Sequence, residues 1–348
     1  MTLFLIIILF CIGLFCIIKG GDFLVSSALK LGKITNISHI MIGATFVAVA
    51  TALPELIVSV FAVINGNYGI AVGNVVGGMT ANIALILALS MIFLPSSNIP
   101  RKEAVVKSLF MLVALAFVFL FSLDMRITWV EGLMLVIFFV CFVVYSVAKH
   151  RGKFLRPGVK KKKGDILTEF EQFKRKKKTE PLTAHQRFER RKIKFEITIG
   201  FIFGQILLIA GAFVLVTNAE RLAEIMGISE TLIGLTIFAI AASAPELTTV
   251  LMSIRKKSGD MAIGNILGSN IINSTLLLGA LVFASYTRDG ALPMSGVTVF
   301  FAIPLLLSVS LLAVVPTMIK GKTYRWQGLF LVAIYVSYII LLAAIRPG

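Results

Sequence analysis

The sequence predicts an all-α integral membrane protein: ten transmembrane helices arranged as two inverted five-helix repeats. Three observations carry that expectation. Of 348 residues, 58% are apolar and only 15% charged, against roughly 25% charged in an average soluble domain. The chain supplies ten long apolar stretches, each near the about 20 residues that a helix needs to cross a hydrocarbon core. They lack the alternating segments of about ten residues that mark a spanning β-barrel. Finally, the second half of the chain repeats part of the first.

The predicted spans are 2–27, 36–64, 69–95, 105–123, 128–148, 197–219, 231–254, 261–286, 292–316 and 326–345. The first lacks a basic leading segment and runs straight into further apolar sequence, so it reads as a span and not as a cleaved signal peptide. Five spans (1–148) precede a basic loop (149–195) and five (196–348) follow it. Between Lys149 and Lys194 stand 18 Lys and Arg against 5 Asp and Glu, so the loop carries most of the net charge of +17. That concentration argues against a nucleic-acid partner and for orientation by charge. With the loop in the cytoplasm both termini lie outside. Lys30, Lys33, Arg101, Lys102, Lys107, Arg255, Lys256, Lys257, Lys320, Lys322 and Arg325 then fall inside, and only Arg126, Arg221, Arg288 and Arg346 outside, as the positive-inside bias of a cytoplasmic membrane requires.

Within the loop, two basic blocks, 160–163 and 174–178, flank Ile166, Leu167, Phe170 and Phe173 at helical spacing. Two readings fit: a solvated linker, or an amphipathic helix lying on anionic lipid over 160–178. Cys11, Cys16 and Cys141 fall in apolar runs without metal-ligand spacing, and are expected to pack as small hydrophobes.

Residues 43–55 read GATFVAVATALPE and residues 234–246 read GLTIFAIAASAPE, 191 positions apart. The same offset carries Gly73, Asn74, Gly77 and Asn82 onto Gly264, Asn265, Gly268 and Asn273, and 43–88 matches its copy at 14 of 46 positions without a gap. With five spans per copy, the second enters the membrane from the opposite face. Inverted repeats of this kind are common in secondary transporters.

Glu55 and Glu246 occupy equivalent places inside spans, where an ionisable group costs about 2.5–3.5 kcal/mol on insertion scales and marks function by default. Each follows a proline, Pro54 or Pro245, which leaves the carbonyls of Ala50 and Ala241 as possible inward-facing ligands and suggests a broken helix. Asn82, Asn273 and Ser269 add amide and hydroxyl oxygens from neighbouring spans, and Thr51 and Ser243 stand just before the prolines. Asn74 and Asn265 fit a ligand or an interhelical hydrogen bond equally. Gly264 and Gly268, like Gly73 and Gly77, are spaced to let a neighbouring backbone approach. A set of hard oxygens without thiol or imidazole suits Ca2+, Mg2+ or alkali cations, and flexible mixed ligation leans toward Ca2+.

At ATALPE (50–55) with GNVVGGMTAN (73–82), and AASAPE (241–246) with GNILGSNIIN (264–273), the chain resembles the cation/calcium exchanger superfamily, specifically the prokaryotic sodium/calcium exchanger type. The resemblance implies Glu55 and Glu246 as central cation ligands, joined by Thr51, Ser243, Ser269, Asn82 and Asn273. It further implies the carbonyls of Ala48 and Ala239 as sodium ligands, and spans 1 and 6 sliding across the other eight. The chain departs from the usual pattern at Ala52, Gly78 and Ala242, where hydroxyl residues are common, and at Asn273, where some members carry Asp.

The expected function is Ca2+/Na+ antiport by alternating access, without a cofactor and without enzymatic chemistry. Proton-coupled exchange is the alternative within the fold, and a cation channel the alternative outside it. An intramembrane hydrolase would need a nucleophile with a base, or a His-rich motif, that the sequence does not supply.

Overall fold

The computed structural model describes residues 3–35, 39–94, 101–151, 184–225 and 242–344. The stretch 160–178, Ala239, Ala241 and the first part of the predicted seventh span lie outside them. Helix α1 is Leu3–Thr35, α2 covers 39–64, α3 covers 68–93, α4 is Arg101–Phe121 and α5 is Trp129–Arg151. The second half has α6 at Ala184–Ile225, α7 at Ala244–Arg255, α8 over 259–289, α9 over 298–320 and α10 at Arg325–Ala344. Among the described residues, nine helices are long and apolar enough to cross a membrane; α7 is the described part of the tenth.

Two helices outrun their hydropathy. Helix α1 extends eight residues past the predicted span, and α6 is 42 residues long, about 63 Å at a rise of 1.5 Å per residue. Its first turns, AHQRFERRKIKF, come from the basic loop. They are rich in helix formers and free of Pro and Gly, so the helix continues where the hydrophobic signal stops. Between α4 and α5 the strand Arg126–Thr128 pairs antiparallel with Ala291–Pro293, Ile127 opposite Leu292. Both of those side chains are fully buried. This small ribbon is the one departure from an all-helical chain among the described residues, and it delays α9 to Thr298.

The repeat is legible in backbone detail. The turn after α2 has Gly66 at φ 86°, and the turn after α7 has Lys257, its repeat equivalent, at φ 55°. Their hydrogen bonds coincide, with Gly66 N–H to Val63 O matched by Lys257 N–H to Ile254 O, and Asn67 N–H to Ala62 O matched by Ser258 N–H to Ser253 O. A π-helical turn begins at Asn82 in α3 and at the equivalent Asn273 in α8, a local irregularity that recurs at functional sites.

The symmetry also reaches α1 and α6, which pack against each other in antiparallel fashion. A Cβ on Gly20 would stand 2.8 Å from the Gly204 carbonyl, and one on Gly211 2.7 Å from the Gly13 carbonyl. Gly13 is the repeat equivalent of Gly204, and Gly20 of Gly211, so the two contacts are images of one another. With Gly200 against Ser27, they bring the two backbones together as only small residues allow. In the centre, Gly264 and Gly268 of α8 lie against the backbone of Ile40 and Ala44 in α2, the close approach that their spacing predicts.

Large apolar side chains such as Phe15, Phe213 and Ile340 face outward, as lipid requires. Cys11 and Cys141 are exposed with them and Cys16 is half-buried, so the cysteines lie on helix surfaces and not in the core. Lys107, assigned to the inner side by charge, is also buried. It is 3% exposed, and its Nζ donates to the Ile40 carbonyl at 2.6 Å. A basic residue is therefore built into the core near one end of α4, four residues after the equally buried Glu103.

Candidate cation site

Helices α2 and α7 both pack on α8, and this brings the two glutamates together. Glu55 is 1% exposed and Glu246 fully buried. Ser269 Oγ donates to Glu246 Oε1 at 2.9 Å, and one turn further along α8 Asn273 Nδ2 donates to Glu55 Oε2. Residues four apart on a helix are about 5–6 Å from each other, so both carboxylates meet the same short stretch of α8. Ser243, at the turn preceding α7, donates to Glu55 Oε1 at 3.2 Å. The acid of the first repeat is thus held by two side chains of the second.

Thr51 lies beside the Glu246 carboxylate and donates to the Ala48 carbonyl at 3.3 Å. Asn82 Nδ2 donates to Asn270 Oδ1 at 3.1 Å. The structure therefore gathers Glu55, Glu246, Thr51, Ser243, Ser269 and Asn273, with Ala48 joined through Thr51 and Asn82 joined to Asn270 of α8, while Ala239 lies outside the described residues. Three oxygens of these residues, Glu246 Oε2, Asn82 Oδ1 and Asn273 Oδ1, are buried and accept no hydrogen bond from the protein. A buried acceptor without a donor costs about 1–3 kcal/mol. Several such hard oxygens beside two carboxylates form a donor set suited to an oxygen-coordinated cation such as Ca2+.

The remaining candidates are redistributed. Asn74 and Asn265 donate in interhelical hydrogen bonds, to Ser59 Oγ at 2.8 Å and Thr249 Oγ1 at 2.9 Å, while their Oδ1 atoms are also buried without a donor. The Ala50 carbonyl, deprived of its helical donor by Pro54, accepts from Gln205 Nε2 of α6 at 2.7 Å. It is therefore a contact with α6, not a free ligand. Helix α2 runs unbroken through Pro54, because that side chain replaces the missing N–H. In the other repeat, Ser243 leaves the helical pattern and Pro245 sits in the first turn of α7, where its missing N–H costs nothing. The helix break expected at both prolines is absent at Pro54.

Two polar residues of this region escaped the sequence reading. Gln205 is an amide in the middle of the most apolar part of α6, a signal available to anyone asking why it is there. Asn270 is harder to find, because its repeat equivalent is Met79 and comparison of the copies passes over it.

The family model described as sodium/calcium exchanger protein matches residues 5–148 and 196–344. The chain is similar to the sodium/calcium exchanger MaX1 of Methanosarcina acetivorans, at 32% identity over 359 residues, covering 97% of this chain and 98% of that protein. It is similar to the putative antiporter CaxA of Alkalimonas amylolytica, at 33% identity over 270 residues and 77% of each chain. Its fold superposes on the sodium-calcium exchanger NCX_Mj soaked with 2.5 mM Na+ and 0.1 mM Ca2+, with TM-score 0.73 and 27% identity over 100% of both chains. Sequence and fold agree over both halves of the molecule, and the chain belongs to the sodium/calcium exchanger family.

Proposed function

We propose that this protein is a secondary antiporter that moves Ca2+ across the cytoplasmic membrane against Na+, with Glu55 and Glu246 as the central ligands. The observation that carries the reading is the meeting of two buried acids from inverted repeats on one turn of α8, amid buried oxygens that lack donors. Thr51, Ser243, Ser269, Asn82, Asn273 and the carbonyls of Ala48 and Ala239 complete the set from which Ca2+ and Na+ take overlapping ligands. On this reading both termini lie outside and the segment 149–195 is cytoplasmic, its basic blocks serving as a solvated, orienting linker or meeting anionic lipid.

Alternating access follows if α1 and α6, joined through their glycines, slide as one body over the remaining helices. Gln205 on α6 and the ion pair between Asp22 of α1 and Lys256 after α7, at 2.5 Å, are contacts that such a slide must exchange. Sealing a site that holds two bare carboxylates away from water is costly, so the slide proceeds only with cations bound. Obligatory exchange is the consequence.

Purified protein in proteoliposomes, loaded with Ca2+ and given one gradient at a time, tests this. Exchange is expected under a Na+ gradient and not under a proton gradient alone; exchange that ignores Na+ would reject the proposal. Proton coupling is the second reading, because Ala52, Gly78 and Ala242 remove hydroxyls that Na+ could use.

Gly78 offers a direct check. A Cβ there would stand 3.2 Å from Ser243 Oγ and 3.5 Å from Glu55 Oε1, so a serine hydroxyl would join the Glu55 side of the site. Gly78→Ser is expected to lower the Na+ concentration for half-maximal Ca2+ release about three- to tenfold, the scale of one added polar contact worth ~1 kcal/mol. An unchanged or raised Na+ requirement would remove that side of Glu55 from the Na+ site.

A further inference from the structure

We propose that Asn270 is a positioning residue that fixes which end of the Asn82 carboxamide is available to the transported cation. The inference rests on the reading of Asn82 as a ligand and adds how its oxygen comes to be presented. A carboxamide has an accepting end and a donating end, nearly equal in shape. Turned one way it offers a cation an oxygen; turned the other way it offers an NH2 group, which repels it. Packing alone barely distinguishes the two, so a cation site built from asparagine needs something to choose.

The choice is made by a relay that ends on the main chain. Asn270 Nδ2 donates to the Met79 carbonyl at 3.2 Å. A carbonyl oxygen only accepts, so the Asn270 nitrogen must face it and the Asn270 oxygen must face the other way. That oxygen accepts from Asn82 Nδ2 at 3.1 Å. The Asn82 nitrogen is thereby committed, and Oδ1 is the end left over: buried, and accepting no hydrogen bond from the protein. Reversing the Asn82 amide would bring two oxygens together at Asn270, and reversing both amides would bring Asn270 Oδ1 against the Met79 carbonyl. One backbone oxygen therefore sets two side chains.

The relay has no counterpart in the other repeat. Asn273, the equivalent of Asn82, is oriented by donating to Glu55, so a ligand acid performs there the task that Asn270 performs for Asn82. The difference traces to one pair of positions, because the repeat equivalent of Asn270 is Met79, whose side chain offers no such polarity and whose backbone anchors the relay. All three groups are fully buried, which keeps water from substituting for either hydrogen bond.

The test compares two backgrounds, because a carboxylate has an oxygen at both ends and is indifferent to reversal. In the otherwise unaltered chain, Asn270→Ala is expected to raise the Ca2+ concentration for half-maximal exchange in proteoliposomes about tenfold or more. In the Asn82→Asp background, where Asn270 Oδ1 would face an oxygen in place of a donor, the same substitution is expected not to raise it. Asn270→Leu, which keeps the side-chain volume without its polarity, should repeat the pattern and covers the case in which alanine disrupts folding. Ca2+-dependent thermal stabilisation of the detergent-purified variants provides a binding readout that does not depend on transport. Equal losses in both backgrounds would assign Asn270 to packing and overturn the proposal, as would no loss in either. An unmutated chain that neither binds nor exchanges Ca2+ would overturn the functional reading itself, and is recognised because it needs no variant.

Discussion

Glu55→Gln and Glu246→Gln are each expected to lower Ca2+ exchange by two to three orders of magnitude while the protein still folds. The magnitude follows from charge. A unit charge about 4 Å from another interacts by about 4 kcal/mol at an effective dielectric of 20, and a divalent ion feels the loss twice over, against partial compensation by the retained oxygen. Folding survives because glutamine keeps the shape. At Glu246, the amide can keep accepting from Ser269 at Oε1 and place its NH2 where Oε2 now stands without a donor. The Ser269 hydrogen bond survives, and a donor is aimed at the cation. At Glu55 the oxygens accept from Ser243 and Asn273; a glutamine can keep accepting from Asn273 and donate its NH2 to the Ser243 hydroxyl, which accepts as well as donates. Normal Ca2+ uptake into proteoliposomes by either variant would remove that acid from the site.

The second large effect is structural. Gly268→Val is expected to destabilise the protein by more than about 3 kcal/mol, the upper part of the range for overpacking, and to abolish exchange. A Cβ at Gly268 would stand 2.5 Å from Ala44 Cα and from its carbonyl oxygen, and at Gly264 2.2 Å from the Ile40 carbonyl. The obstructing atoms are backbone, which no rotamer change can move aside. The substitution would push α8 away from α2 and so separate Asn273 from Glu55, the acid it holds. Gly296→Ala is the control, since nothing lies within 4 Å of its Cβ position. Thermal unfolding in detergent should show a large loss for the first and little change for the second. Wild-type stability of Gly268→Val would mean that the two helices have room to spare.

Much of the molecule was legible before any coordinates. Hydropathy located the spans, because lipid accepts only runs of apolar residues with every backbone group satisfied internally. The offset of 191 positions located the site, because a buried acid is too costly to occur twice at matching places by accident. Hydropathy misjudged what lies beyond the lipid. The ends of α1 and α6 are polar and helical, since a helix needs intramembrane apolarity only where it is in the membrane. Nor did hydropathy show that Lys107, within the predicted fourth span, reaches a backbone carbonyl inside the core.

What escaped the sequence are contacts that have no image in the other repeat. Gln205 to Ala50, Asn270 to Met79 and Ser243 to Glu55 each join residues more than 150 positions apart, and each breaks the symmetry by which the site was found. The sequence alone determined the membrane class, the inverted repeat and the two acids, because burial cost and self-similarity are properties of composition and order. The tertiary structure alone decided which oxygens face one another, because hydrogen bonds join groups by their position and direction in space.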